Sequence, residues 1–482
     1  MLQDISVSRT DLYIDGSWVP ARGGERFEVF DPATEAVLAS VASATVEDGR
    51  AALDAAERAA AGWAAKKPRE RGEILRRAYD IIMREQERLA RLVTLENGKA
   101  LPDSMSEIAY AAEFFRWFAE EAVRNIGCVS RAPSSGARIL VQHRSAGIAL
   151  LVTPWNYPAA MGTRKIAPAL AAGCTVVVKP ASETPLTMLA LMPLLEEAGV
   201  PPGVVNVIPT RRSAAVVNSL LGDPRIRVVS FTGSTQVGRQ LLRAAVETVV
   251  TPAMELGGNA PFIVCADADL EPAVDGAMLA KMRNLGEACT AANRFYVHSS
   301  LHDRFAAAMG RRMAALTVGN GLTPGVDVGA LINRAARDKV AALVEDALAK
   351  GARLVTGGAV PEGRGYFYSP TVLAGVPDDA DCLQEEVFGP VAVIQRFEDE
   401  REVIAKANAT EYGLAAYVYT RDLKRGLALC EQLEFGMVGL NRGLVSDPAA
   451  PFGGMKQSGI GREGAHEGLM EFLETQYVSV EW

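Results

Sequence analysis

Histidine is scarce in this sequence: four in 482 residues, at 143, 298, 302 and 466, with no HExxH spacing. Imidazole-centred catalysis and histidine-held zinc therefore have little basis, and acid–base work falls to carboxylates. The six cysteines (128, 174, 265, 289, 382 and 430) show neither CxxC nor Cys/His spacing. In a chain this long they neither staple a fold nor suggest a metal site, so no metal is expected and five of them read as ordinary buried thiols. Positive charge is in deficit, with 50 Lys and Arg against 58 Asp and Glu and a net charge of −8. That argues against a surface built to neutralise a nucleic-acid backbone and leaves small molecules as partners. No apolar run reaches the ~18 residues that a bilayer span needs, and the N-terminus lacks a basic segment followed by an apolar one. The expectation is a cytoplasmic protein with no membrane partner. Low-complexity linkers and internal repeats are also lacking.

What is present is a globular composition, 49% hydrophobic and 22% charged, long enough for two or three domains. Apolar residues at three- and four-residue intervals predict helices over 46–63, 68–97 and 101–124. From residue 146 short β-branched runs (GIALLVT, CTVVVK, VVNVI, VVSFTG) alternate with helical stretches at 159–172, 186–198, 213–220 and 236–248. That is the signature of βαβ units and a largely parallel sheet. A second α/β series follows ELGGNAPFIV, with strands near 261–264, 294–298, 353–355, 391–396 and 414–420. Residues 130–143 and the C-terminal LETQYVSVEW read as extended segments outside either series, of the kind that pair across a subunit boundary.

Several segments carry chemistry. NLGEACTAANR (284–294) sets Cys289 among small residues that leave its sulfur accessible, and a thiol is a strong nucleophile towards carbonyl carbon. TPWNYP (153–158) closes the first βαβ strand and offers the Asn156 amide to a developing oxyanion. VVVKPASETP ends the second strand at Lys179, and FTGSTQVG ends a later one at Gly233 and Ser234 before a helix. Strand C-termini followed by helix N-termini are where parallel sheets bind nucleotides, although the glycine pattern is not GxGxxG. In MELGGNAPFIV, Glu255 is the type of carboxylate that activates water against a thioester.

Taken together, Asn156, Lys179, FTGS (231–234), ELGG (255–258), Cys289, EEVFGPV (385–391) and PFGGMKQSGIGRE (451–463) fall in the order and approximate spacing of the aldehyde dehydrogenase superfamily, which the chain resembles from about residue 10 to its C-terminus. The resemblance implies two parallel-sheet α/β domains: a Rossmann-like NAD(P)-binding domain over 1–129 and 144–256 and a catalytic domain over 257–450. A small β segment for oligomerisation and bridging is implied at 130–143 and 451–482, in a homodimer or homotetramer. It further implies that Cys289 attacks the aldehyde, that Asn156 and the Cys289 N–H hold the oxyanion, and that Glu255 activates the deacylating water. Lys165 and Glu463 would relay the proton. Glu386 would hold the nicotinamide ribose and Phe388 pack beside the cofactor. Lys179, Ser182, Gly233 and Ser234 would take the adenosine ribose and phosphates, with Thr153, Pro154, Trp155 and Leu256 lining the cofactor site.

Within the superfamily the motifs are most similar to bacterial succinate-semialdehyde dehydrogenases, in which positions matching Arg164, Arg283 and Ser446 grip the substrate's distal carboxylate. Arginine suits that task, because its planar fork binds carboxylate bidentately and stays charged. Another short anionic aldehyde, such as glutarate semialdehyde or a phosphonate, could use the same clamp. The alternative for Arg164 and Arg283 is pairing with internal carboxylates. NAD-preferring relatives usually carry Glu where this chain has Ser182, so NADP is the expected cofactor and NAD possible; Glu183 is expected to point away, as neighbours in an extended segment do. Glu287 stands where the family usually has Gln, and a carboxylate there could raise the pKa of Cys289. Two rivals are a catalytically silent protein on the same fold, opposed by the intact Cys289, Glu255 and Asn156 set, and an acyl-CoA-forming dehydrogenase, opposed by Glu255.

Overall fold

Five buried segments form the parallel heart of the first sheet: β1 (Ile148–Val152), β2 (Thr175–Lys179), β3 (Val205–Val207), β4 (Ile226–Thr232) and β5 (Thr251–Glu255). Both faces of such a sheet are covered by helices, which is why most residues of these runs are buried and the central ones are rich in Val, Ile and Leu. Their spatial order is β3-β2-β1-β4-β5, extended at one edge by two short N-terminal strands and at the other by Gly459–Ile460. The computed structural model describes residues 9–481; residues 1–8 and 482, which the expected domain ranges include, lie outside the described residues.

The order reverses between β1 and β4, the switch point at which a doubly wound sheet opens a crevice for ligands. Register aligns the strand ends there: Val152 faces Lys179 on one side and Phe231 on the other, and Thr232 faces Glu255. TPWN, Lys179, FTGS and ELGG therefore leave the sheet along one edge.

A second sheet holds β6 (Ala260–Val264), β7 (Ala292–His298), β8 (Thr371–Ala374), β9 (Val391–Phe397), β10 (Ala415–Tyr419) and β11 (Met437–Leu440) in the order β8-β9-β7-β6-β10-β11, all parallel. An antiparallel strand, Arg353–Thr356, borders β8. Ala260 pairs with Ala292, and Thr371 with Val391, so the segments preceding β7 and β9 start from one edge. Those segments contain Cys289 and Glu386. Because Gly257 and Gly258 connect the end of β5 to the start of β6, the C-terminal edge of the first sheet meets the N-terminal edge of the second.

The predicted helix over 68–97 is two helices, Pro68–Arg84 and Gln86–Asn97, interrupted at Glu85 without a proline or glycine to signal it. The extended segments pair within the chain: Arg138–Ser145 lies between Leu473–Val480 and Cys128–Arg131 in a three-stranded sheet. Among the described residues no helix is long and apolar enough to cross a membrane.

Candidate active site

A cavity of about 300 Å³ lies where the two sheets meet, lined from one side by Pro154, Trp155, Asn156, Gly233, Ser234 and Leu256, and from the other by Arg283, Cys289, Glu386 and Phe388. Arg164 and Ser446 complete the wall around Cys289.

Cys289 is presented by a strained turn. Asn284 and Leu285 have φ of 54° and 43°, left-handed values that cost a branched or bulky residue energy, and Gly286 continues at 80°. A Cβ on Gly286 would come within 2.2 Å of the Gly389 carbonyl, and one on Gly258 within 2.3 Å of the Cys289 carbonyl. Glycine is therefore what lets the ELGG and EEVFGP segments close around the nucleophile. Asn284 is tied down through its main-chain N–H, which donates to Asp103 at 3.1 Å, and through its amide, which donates to the carbonyls of Asn156 (3.0 Å) and Glu287 (2.7 Å). Burial pushes the Cys289 thiol up to about 12; Arg164 and Arg283 pull it down, while Glu386 and Glu255 push it up.

Glu287 does not act on that thiol. Its carboxyl is fully buried, accepts from the Ile332 N–H at 3.2 Å and is absent from the cavity wall, so the expected like-charge repulsion does not arise. Its main-chain carbonyl matters instead, accepting from the Asn156 amide at 3.0 Å. That leaves the second amide hydrogen of Asn156 for the cavity.

Glu255 lies outside the wall, buried, with neither carboxyl oxygen hydrogen-bonded among the described residues. Burial, then the neighbouring Glu463, hold its pKa well above the usual carboxylate range, against Lys165, Arg164 and Arg462. Behind it a smaller chamber is lined by Lys165, Ser230, Arg462, Glu463 and Glu471. There the Lys165 ammonium donates to Glu463 and, at 2.9 Å, to Ser230. Glu463 is carried into place by the C-terminal segment, whose Gly459–Ile460 strand pairs with Met254 and Glu255.

The two arginines differ. Arg164 reaches the Glu463 carboxylate at 3.4 Å, donates to the Tyr110 hydroxyl and lies 4.1 Å from the centre of the Phe452 ring, so it is partly committed to internal partners. Arg283 makes no salt bridge among the described residues and sits 5.5 Å from the Tyr157 ring centre, its charge open to the cavity. Ser446 is buried in the same wall.

Away from the cavity, the Thr153 N–H donates to the Lys179 carbonyl at 3.2 Å, joining the ends of β1 and β2. Lys179 is buried and enters no salt bridge among the described residues; desolvation lowers its pKa to about 8. Ser182 does not stand alone. Its hydroxyl donates to Glu183 at 3.1 Å, contrary to the expected divergence of the two side chains, because the chain bends after Lys179 and residues 180–184 form no strand.

A nucleotide cofactor fits this donor set: a buried ammonium at the end of β2 with no salt bridge among the described residues, the N-terminus of helix Thr235–Val246 capped by Ser234, and the Trp155–Phe388 ring pair 5.4 Å apart beside the cavity. Residues overlooked by sequence reasoning hold the 153–160 segment. Lys99 pairs with Glu107 at 2.6 Å and donates to the Asn156 carbonyl at 2.7 Å; Glu107 accepts from the Ala159 and Ala160 N–H groups at 2.8 and 3.2 Å. The only sequence cue was a lysine in the helix-breaking NGK string.

Two parallel-stranded sheets meeting at a crevice, with a thiol on one side and strand ends of the kind that bind nucleotides on the other, fit an α/β oxidoreductase. More narrowly, residues 18–478 match the aldehyde dehydrogenase family, and the chain belongs to it. It is 54% identical over 444 residues, 92% of this chain and 99% of the relative, to a succinate-semialdehyde dehydrogenase of Paenarthrobacter nicotinovorans. Over 479 residues, 99% of both chains, it is 48% identical to the succinate-semialdehyde dehydrogenase [NADP(+)] GabD of Escherichia coli K12. The crystal structure of an E. coli NADP-dependent enzyme superposes with a TM-score of 0.98, covering 100% of both chains at 47% identity.

Proposed function

We propose that the protein oxidises succinic semialdehyde to succinate with NADP, NAD serving as a second acceptor. The observation that carries this reading is Arg283, a cation without a salt bridge among the described residues, in the wall that also presents Cys289. A short aldehyde with a distal carboxylate bridges those two groups. The Cys289 thiolate attacks the carbonyl carbon, and the free Asn156 N–H with the Cys289 main-chain N–H takes the oxyanion. The bound dinucleotide supplies the hydride acceptor. Lys179, Ser182 and Ser234 would hold its adenosine end, and Glu386 and Phe388 its other end, with Thr153, Pro154, Trp155, Gly233 and Leu256 shaping the space between. The resulting thioester is opened by water that Glu255 deprotonates, a role supported by a buried carboxyl whose pKa desolvation holds well above the usual carboxylate range. Lys165 and Glu463 pass the proton to the chamber behind. The proposed division of the chain is a nucleotide domain at 1–129 and 144–256, a catalytic domain at 257–450 and bridging segments at 130–143 and 451–482, working as a cytoplasmic homo-oligomer.

The test is a comparison of succinic semialdehyde with butanal, which has the same chain length and no carboxylate. Arg283→Ala should lower kcat/KM for the semialdehyde by about 30- to 1000-fold, the equivalent of ~2–4 kcal/mol for a lost charge-assisted contact, and leave butanal little changed. Arg164→Ala should impair both, because Glu463 loses a partner with it. Equal losses on both aldehydes in Arg283→Ala would remove the distal-carboxylate assignment.

A further inference from the structure

The end of β2 and the residues after it hold a buried ammonium without a salt bridge among the described residues (Lys179), a half-buried hydroxyl (Ser182) and a half-buried carboxylate (Glu183), and only the last has no part in the site proposed above. The hydroxyl donates to the carboxylate at 3.1 Å. Among the described residues Glu183 favours the Lys179 ammonium, against the desolvation that disfavours it. A carboxylate at the end of a nucleotide-binding sheet accepts hydrogen bonds from ribose hydroxyls and repels a phosphate on the 2′ oxygen, whereas an ammonium does the reverse. This chain places both at one strand end.

We propose that Glu183 is a cofactor-specificity residue that competes with the 2′-phosphate: its carboxylate occupies the Ser182 hydroxyl and opposes the phosphate that Lys179 attracts. The inference rests on the nucleotide site proposed above. Its consequence is a balanced site. The phosphorylated dinucleotide must take the Ser182 hydroxyl from Glu183 and settle beside a like charge, while the unphosphorylated one meets an acceptor for its ribose hydroxyls. Glu183 thereby acts on cofactor choice from a position one residue beyond the one that sequence reasoning assigned to it, and the bend at 180–184 is what brings its carboxylate to the Ser182 hydroxyl.

Titration calorimetry on the intact enzyme with 2′,5′-ADP and 5′-AMP reads this without turnover. Glu183→Gln keeps the side chain's size and removes its charge. We expect it to tighten 2′,5′-ADP by about ten-fold and leave 5′-AMP within about two-fold, with the gain shrinking at high salt. An unchanged ratio of the two affinities in a variant whose circular dichroism matches the parent overturns the inference while leaving the nucleotide site intact. Should the parent protein bind neither fragment, the nucleotide site itself is wrong and the inference falls with it. Glu183→Ala checks that the effect follows charge: it should shift the ratio in the same direction, and a shift in the opposite direction counts against the proposal.

Discussion

At the scale of single residues the site is governed by desolvation. Glu255 has no hydrogen-bond partner for either carboxyl oxygen, so its proton affinity is set by burial and by Glu463 across from it. Glu255→Gln removes the proposed base and keeps the side chain's size. Rapid-mixing experiments should then show a burst of reduced cofactor close to one per site followed by turnover slowed at least about 100-fold, in line with the usual contribution of a general base; an unchanged steady-state rate would exclude it from deacylation. Lys179 yields a prediction in pH. Folding lowers its pKa to about 8, and the unfolded chain keeps the proton up to about 10.4. Between those values the unfolded state binds more protons, so this group's contribution makes stability rise with pH across that window. Phosphate binding has the opposite dependence, because it needs the ammonium: affinity for 2′,5′-ADP should fall as pH rises through about 8. Calorimetry at several pH values on the parent and on Lys179→Met checks it; the same pH dependence in both proteins would show that another group is responsible.

At the scale of elements, the loop that carries Asn156 is fastened by a helix pair far away in sequence. Helix Leu101–Glu121 contributes Glu107, and the residues just before it contribute Lys99, both with fully buried side chains. Breaking a buried ion pair costs far more than it contributes, since the remaining charge stays desolvated. Lys99→Met should lower unfolding free energy by ~3–5 kcal/mol, measured as the shift of the urea midpoint, and reduce kcat because the Asn156 carbonyl loses a donor. Adding Glu107→Leu should restore part of the stability without restoring kcat. A loss below ~1 kcal/mol would show that water reaches the pair. None of this was visible as a motif. Periodicity predicted a helix over 101–124, and periodicity says which face is buried, not which buried polar atom meets a loop about 50 residues on.

At the scale of the whole molecule, the C-terminal residues join the two sheets: Gly459–Ile460 pairs with β5, Met455–Lys456 with Tyr412–Gly413, and Leu473–Val480 with Arg138–Ser145. The last of these sheets ends at Cys128–Arg131, an exposed strand whose outer edge is open and whose Val129 is 66% exposed. An open edge of that kind is a template for pairing with another chain. Sedimentation equilibrium should therefore give two or four times the chain mass, and Val129→Lys should weaken the association. A monomer at micromolar concentration would refute the expected oligomer.

The sequence by itself determined the α/β alternation and the two sheets, and it singled out Cys289, Glu255 and Asn156 as candidates, because those depend on local periodicity and on residue types in a fixed order. It also marked the strand ends at Lys179 and Ser234, since parallel sheets expose their C-terminal edge. Tertiary structure alone decided that Cys289 and Glu386 enter from the N-terminal edge of the second sheet. It decided that Glu287 turns to Ile332, that Arg164 is shared with Glu463 while Arg283 has no salt bridge among the described residues, and that Glu183 folds back onto Ser182. In each case the deciding quantity is a distance between residues in different elements or the direction of a chain outside regular structure, and neither leaves a period in the sequence.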